Sequence, residues 1–281
     1  MNEVILARIG ASQKYMRCVF LFLLIFEGLH AQQVDHDSTR SIHVLTIGNS
    51  FANNACKYLE EIVQSVTHCH ILITKANIGG CSLEKHANLI EACEQDPGLK
   101  PYGNTHSLKD LLLQDKYDYI TIQQVSSQSF MAHTFEPHAN KLINYISKYA
   151  PGAQVLVHQT WAYSPDAERL LEWNLSRQSM HDSLVHNYTV LSQKYDLGML
   201  PSGSAFFHSF NKRSNYKLWS SDGYHANENG CYLAGCVWFT QLFQETTRKI
   251  TYFPEGLDKK KARFFKRIAR RQLRAHPLPR S

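Results

Sequence analysis

The sequence predicts an α/β fold built on a mainly parallel five-stranded sheet. Three observations point to it. Short β-rich apolar runs alternate with stretches of helical period, the pattern of βαβ units. The first two runs stop at glycine-containing turns before helix-forming segments resume. No repeat or long linker divides the 281 residues, of which 43% are hydrophobic and 19% charged, so one domain with a full core is expected.

The N-terminus is expected to be a secretory signal peptide spanning residues 1–31. Lys14 and Arg17 precede the apolar run Cys18–Phe26, and a small residue, Ala31, marks the cut before Gln32. The run falls short of the roughly 20 apolar residues that a spanning helix needs. A secreted or periplasmic protein is therefore expected. Beyond Cys18 the chain keeps Cys56, Cys69, Cys81, Cys93, Cys231 and Cys236, an even number that an oxidising compartment permits to pair. No Cys-x-x-Cys or His-Glu-x-x-His occurs. The cluster His68, Cys69, His70 opens a strand, where neighbouring side chains face opposite ways, so neither a metal nor another cofactor is expected.

The first strand is placed at Ile42–Ile47, ended by Gly48, Asn49 and Ser50, with a helix over 54–66 carrying Tyr58, Leu59, Ile62, Val63 and Val66 on one face. His70–Thr74 is the second strand, broken by Gly79 and Gly80. The third is Tyr119–Ile122 and the fourth Gln154–Val157, with a helix opened by Pro137 between them. Pro165 to Tyr195 reads as helical, with room for an interruption. Gly198–Leu200 is a short fifth strand, and the last helix of the body starts after Asn227, a good N-cap. One folded domain over 32–254 and a basic tail over 255–281 complete the expected organisation.

Three short elements carry chemistry. Ser50 lies on a strand-to-helix turn, which sets its hydroxyl at the carboxyl edge of the sheet, where open α/β folds bind ligands. Alone, that turn is equally a tight bend with a capping serine. Asp222, Gly223, Tyr224 and His225 follow much later. A serine hydroxyl needs a base, and the base needs an acceptor on its other ring nitrogen; an aspartate three residues before a histidine supplies both within one loop. A capping loop is the plain alternative. Gly79 and Gly80 offer backbone N–H groups that a substrate oxygen can approach closely, or a plain turn. Trp161 and Tyr163, just beyond the fourth strand, are candidates for stacking on a sugar ring, with core packing as the alternative.

The blocks TIGNSFANN (46–54), NIGGCSLEKH (77–86), ITIQQVSSQS (120–129), HQTWAYS (158–164) and DGYHANENGCYLAG (222–235), in this order, resemble those of SGNH (GDSL-like) hydrolases. More closely they resemble a little-characterised SGNH-like family of Bacteroides-type bacteria, of the DUF4886 kind, from about Ile42 to Gln244. The resemblance implies a three-layer α/β/α sandwich with a flavodoxin-like sheet and a serine esterase, often acting on acetyl groups of polysaccharides. Carried onto this chain, Ser50 is the nucleophile, His225 the base and Asp222 its partner, with Ser50 and Gly80 N–H groups at the oxyanion. The chain departs from the family after strand three. Where most SGNH enzymes have Gly-x-Asn-Asp, it reads Ile122, Gln123, Gln124, Val125. Gln124 is the expected substitute for the oxyanion-hole asparagine, with Gln123 next. Asn49 stands where many relatives have aspartate; it keeps a hydrogen-bonding side chain without the charge.

The formal charge of +6 is uneven: residues 255–281 hold ten Lys and Arg against two acidic residues, leaving the body slightly negative. A near-neutral body argues against nucleic acid as a partner. Leu257–Leu273 reads as an amphipathic helix with Phe264, Phe265, Ile268 and Ala269 on one face. It suits an anionic membrane surface, an acidic glycan, or simple packing on the body. The expected substrate is an acylated carbohydrate. A lipid esterase or thioesterase, or a catalytically silent glycan-binding protein, are the competing readings.

Overall fold

The computed structural model describes residues 39–276 and Leu278; the expected signal peptide lies outside the described residues. Five strands, β1 (Arg40–Gly48), β2 (Cys69–Asn77), β3 (Tyr119–Ile122), β4 (Gln154–His158) and β5 (Gly198–Leu200), form one all-parallel sheet in the order β2-β1-β3-β4-β5. Parallel strands need crossovers, and the helices that supply them cover both faces. That is why β1 reads as a continuous apolar run: Val44, Leu45, Thr46 and Ile47 are at most 1% exposed.

After β1 the chain departs from the expected single helix over 54–66. Helix α1 (Ser50–Cys56) begins at the serine itself because the Asn49 side chain caps it, and α2 (Leu59–Gln64) follows a break at Lys57 and Tyr58. Helices α3 (Leu83–Gln95) and α4 (Leu108–Gln114), capped by Ser82 and Ser107, pack with α5 (His138–Tyr149), before which Pro137 stands as foreseen. The stretch from Pro165 to Tyr195 is interrupted: α6 (Glu168–Glu172) stops at Trp173, Asn174 turns with a φ of 52°, and Ser176 starts α7 (Arg177–Tyr195) with a capping box.

Helix α8 (Ser202–Lys212) follows β5, and α9 (Glu228–Phe243) is capped by Asn227. Every residue of α9 from Gly230 to Phe243 is buried, so it must be covered all round. Helices α1, α2 and α8 cover part of it, and the C-terminal helix α10 (Lys259–Ala275) covers the rest. Phe264, Phe265, Ile268 and Ala269 are at most 6% exposed there. The basic segment is therefore docked on the body by its apolar stripe, and that stripe is not free to enter a membrane. Among the described residues no helix is long and apolar enough to cross one.

All six cysteines of the described residues are free, and five are buried. Burial pushes the thiols of Cys56, Cys231 and Cys236 up to about 12, so they stay protonated and unreactive.

Candidate active site

The site forms at the carboxyl edge of the sheet, where the segments leaving β1, β2, β3 and β4 meet the loop before α9. The Asn49 Oδ1 accepts the Phe51 N–H at 3.0 Å, and its Nδ2 donates to the Cys81 carbonyl at 2.9 Å. One side chain thus caps the helix of Ser50 and ties it to the turn after β2. Aspartate there has no N–H for Cys81, which explains asparagine at this position. A Cβ on Gly48 would lie 3.1 Å from both Ala52 and Gln123, so the turn closes against the segment leaving β3. Buried His86 donates from Nε2 to the Gly48 carbonyl at 3.0 Å.

The loop 220–226 is held from three sides. Ser164 N–H donates to the Gly223 carbonyl at 2.8 Å, Trp161 Nε1 to the Tyr224 carbonyl at 2.9 Å, and Ala226 N–H to Asn54 Oδ1 on α1 at 3.1 Å. These bonds bring His225 Nε2 within 2.8 Å of Ser50 Oγ, and His225 Nδ1 lies 2.6 Å from Asp222 Oδ2. The other Asp222 oxygen accepts the N–H groups of Tyr224 and His225, each at 3.0 Å. Burial works against ionisation of Asp222, but these donors and the imidazole outweigh it and hold the carboxyl below its ordinary value. A carboxylate only accepts, so Nδ1 carries the proton and Nε2 presents a lone pair to the serine hydroxyl. Such a chain lets imidazole take the proton as the oxygen attacks an acyl carbon.

Gly80 adopts a φ of 62°, which an unstrained turn reserves for glycine, in the turn closed by Cys81 N–H on the Ile78 carbonyl. Its N–H and that of Ser50 have no hydrogen-bond acceptor among the described residues. Gln124 does not join them. Its Oε1 accepts from Leu83 and Val125 N–H, and its Nε2 donates to the carbonyl and hydroxyl of Thr134. Fully buried and fully bonded, this amide is a brace for the loop, which corrects its assignment to the oxyanion hole. Gln123 is committed too: Nε2 donates to Asn49 Oδ1 at 2.7 Å and Oε1 faces His158 Nδ1 at 2.7 Å.

The direction of that last network follows from one end. Phe51 N–H fixes Asn49 Oδ1 as an acceptor, so Gln123 must turn its amide nitrogen there and its carbonyl to His158. The imidazole then donates from Nδ1 and accepts the Ser202 hydroxyl at Nε2, 3.1 Å away. Sequence reading missed His158 and His86; a histidine at a strand end or inside an apolar helix face was the available signal. Burial drives His158 down to about 3 and His86 to about 4, although the bond to Gly48 works the other way for His86. Both are neutral in the fold and protonate near 6.5 when unfolded. Their contribution is therefore complete above about pH 6.5 and lost as pH falls toward 4. The melting temperature is expected to drop steeply over that window, and a flat profile from about pH 7.5 to 4.5 would count against buried neutral imidazoles.

Trp161 and Tyr163 are both fully buried. Phe51 and Phe206 stack on the two faces of Trp161 with centroids 4.5 and 4.3 Å away, so no face is left for a sugar. Tyr163 hydrogen-bonds Ser126 at 3.0 Å inside the core. The stacking role is corrected to core packing for both. Half-buried aromatic surface comes instead from Tyr224, 4.4 Å from the His225 ring, and from Trp173, 5.0 Å from Phe130. The Arg169 guanidinium lies over Tyr224 at 4.7 Å. A cleft of about 330 Å³ opens beside Asp222, walled by Asp166, Glu168, Arg169 and Glu172. Tyr224 was legible within the Asp222 loop, whereas Trp173 sits in a helix break that hydropathy does not mark.

An all-parallel sheet in this order, with a serine after its first strand and the histidine loop before a late helix, is the fold of SGNH hydrolases. A protein named as a candidate SGNH hydrolase from Slackia heliotrinireducens superposes with a TM-score of 0.53 at 20% identity, covering 70% of this chain and 96% of that one. A mutant acetyl-xylooligosaccharide esterase from Geobacillus shares the fold at a TM-score of 0.50 and 12% identity, over 75% and 94% of the two chains. The chain itself belongs to the DUF4886 family, a domain of unknown function whose family model matches residues 43–272. A crystal structure of a DUF4886 family protein from Bacteroides uniformis is 26% identical with a TM-score of 0.75, covering 86% of this chain and 98% of that one. No curated protein matches the sequence.

Proposed function

We propose that the protein is an exported serine ester hydrolase that removes acetyl or other small acyl groups from a carbohydrate. The observation that carries this reading is the unbroken chain Ser50–His225–Asp222 with distances of 2.8 and 2.6 Å. Ser50 Oγ attacks the acyl carbon as His225 Nε2 takes its proton, and the developing oxyanion is met by the Ser50 and Gly80 N–H groups. His225 then gives the proton to the departing sugar oxygen, leaving an acyl-serine. A water molecule, deprotonated by the same nitrogen, releases the acid and restores the hydroxyl. Asp222 keeps the imidazole in the tautomer both steps need.

The substrate class rests on the surroundings. A cleft walled by carboxylates and Arg169 suits a hydroxyl-rich neutral substrate better than a long acyl chain. Trp173 and Tyr224 replace the buried pair as the aromatic surface for a sugar ring. The neighbour named for acetylated xylooligosaccharide supplies a first substrate to try.

A fluorophosphonate probe tests the reading. It is expected to label the wild-type protein and to leave Ser50→Ala unlabelled. An unlabelled, folded wild type would overturn the hydrolase reading in favour of a silent glycan-binding protein. Side-by-side rates on acetyl and octanoyl esters are expected to favour acetyl; the reverse order would point to a lipid esterase.

A further inference from the structure

The helix KKKARFFKRIARRQLRA contains no acidic residue, and its apolar stripe is consumed by the body. What it leaves in solvent is charge. Lys212 and Arg213, at the end of α8, stand across from Arg267 and Arg271 and enclose a groove of about 280 Å³. A second groove of about 260 Å³ continues from it, lined by Arg213, Lys260, Arg263 and Arg267. Phe264 lines both and Tyr216 the second, each under 9% exposed. The guanidinium of Arg213 lies 5.7 Å from the Tyr216 ring and 5.9 Å from that of Phe264, and Arg267 lies 5.8 Å from Phe264.

None of these six cations forms an ion pair among the described residues. Nearby, partial burial and the charges of Arg248, Arg274, Arg267 and Arg271 hold the Arg270 guanidinium below its ordinary value. A surface that repels itself in this way is relieved by a bound polyanion. Three features select the kind. The stripe that would enter lipid is already buried, so an inserted amphipathic helix is ruled out. The two grooves share Arg213, Phe264 and Arg267 and so run on from each other, a track for a linear chain rather than a single point site. Guanidinium groups fixed over aromatic rings match a planar carboxylate bidentately beside a sugar ring.

We propose that these joined grooves between the end of α8 and α10 are a docking site for an acidic polysaccharide, a chain bearing uronate carboxylates. The site anchors the protein on polymer and shares no residue with the Ser50 site. It stands independently of the hydrolase reading.

Affinity electrophoresis of the full mature chain through gels containing polygalacturonate tests it. Wild-type protein is expected to be retarded, at least tenfold less so in Arg213→Glu/Arg267→Glu and in gels of the fully methyl-esterified polymer. Retardation should vanish at about 0.5 M salt, where charges are screened within a few ångströms. Arg213→Gln/Arg267→Gln, a milder change, is expected to show an intermediate loss and serves if the reversal fails to fold. Turnover of 4-nitrophenyl acetate is expected to be equal in all three proteins. No retardation of the wild type overturns the proposal, as does equal retardation of the variants. Tighter binding to phosphatidylserine vesicles than to polygalacturonate overturns it in favour of a membrane. Absent esterase activity with intact retardation leaves the docking site standing and removes only the hydrolase reading.

Discussion

Replacing His225 by alanine is expected to lower turnover of 4-nitrophenyl acetate by at least about a thousandfold. The size follows from what the imidazole does for an otherwise weak nucleophile. Ser50 Oγ lies 2.8 Å from Nε2, the base of the proposed reaction, and Asp222 is held on the far side of the ring, with both oxygens already engaged. Removing the ring leaves the two backbone N–H groups able to stabilise an oxyanion, but nothing to generate the alkoxide. Residual activity should therefore be small but above solution hydrolysis. The fold should hold, because the ring is partly exposed and the loop keeps its bonds to Ser164, Trp161 and Asn54. A stable variant with near-normal turnover would remove His225 from the proposed role, whatever its distance from the serine.

The pairing of Ser50 with Asp222 and His225 was legible because each lies in a short segment whose local geometry is nearly dictated by its own residues. A serine between a β-run and an Asn-capped helix can only face the sheet's carboxyl edge, and an aspartate three residues before a histidine closes its own loop. The sheet was legible for a similar reason: Tyr119–Ile122 and Gly198–Leu200 are apolar runs too short to be helices. Helices α4 and α8 were not. LKDLLLQ is too short for a period to emerge, and SGSAFFHSFNK opens on residues that read as loop and is buried on most sides.

What the sequence could not show was commitment over distance. Gln124 has the right donor for an oxyanion, but Thr134, ten residues on, has claimed it. The basic segment carries an amphipathic pattern, which specifies that its apolar stripe must be covered without saying by what. The answer is α9, a helix so apolar that it needs a cover of its own. Each of the two solves the exposure problem of the other.

Trp161 is the sharpest instance of distant commitment, and its replacement should show it. Phe206, which closes one face of the indole, comes from a helix beyond β5, and Phe51, on the other face, is the residue after Ser50. Trp161→Ala removes a fully buried ring and should cost about 3–5 kcal/mol, enough to lower the melting temperature by roughly 10 °C in a domain of this size. It also frees the Tyr224 carbonyl that the indole N–H holds at 2.9 Å, so turnover of even 4-nitrophenyl acetate should fall as His225 loses its anchor. Trp173→Ala should behave in the opposite way. That ring is half-exposed at the end of a short helix, so stability should change by no more than about 1 kcal/mol. Turnover of the small ester should persist, while KM for an acetylated oligosaccharide rises several-fold. Thermal melts and paired kinetics on the two substrates separate the cases. A Trp161→Ala protein as stable as wild type, with only its oligosaccharide KM raised, would return that ring to the substrate surface and undo the assignment of core packing.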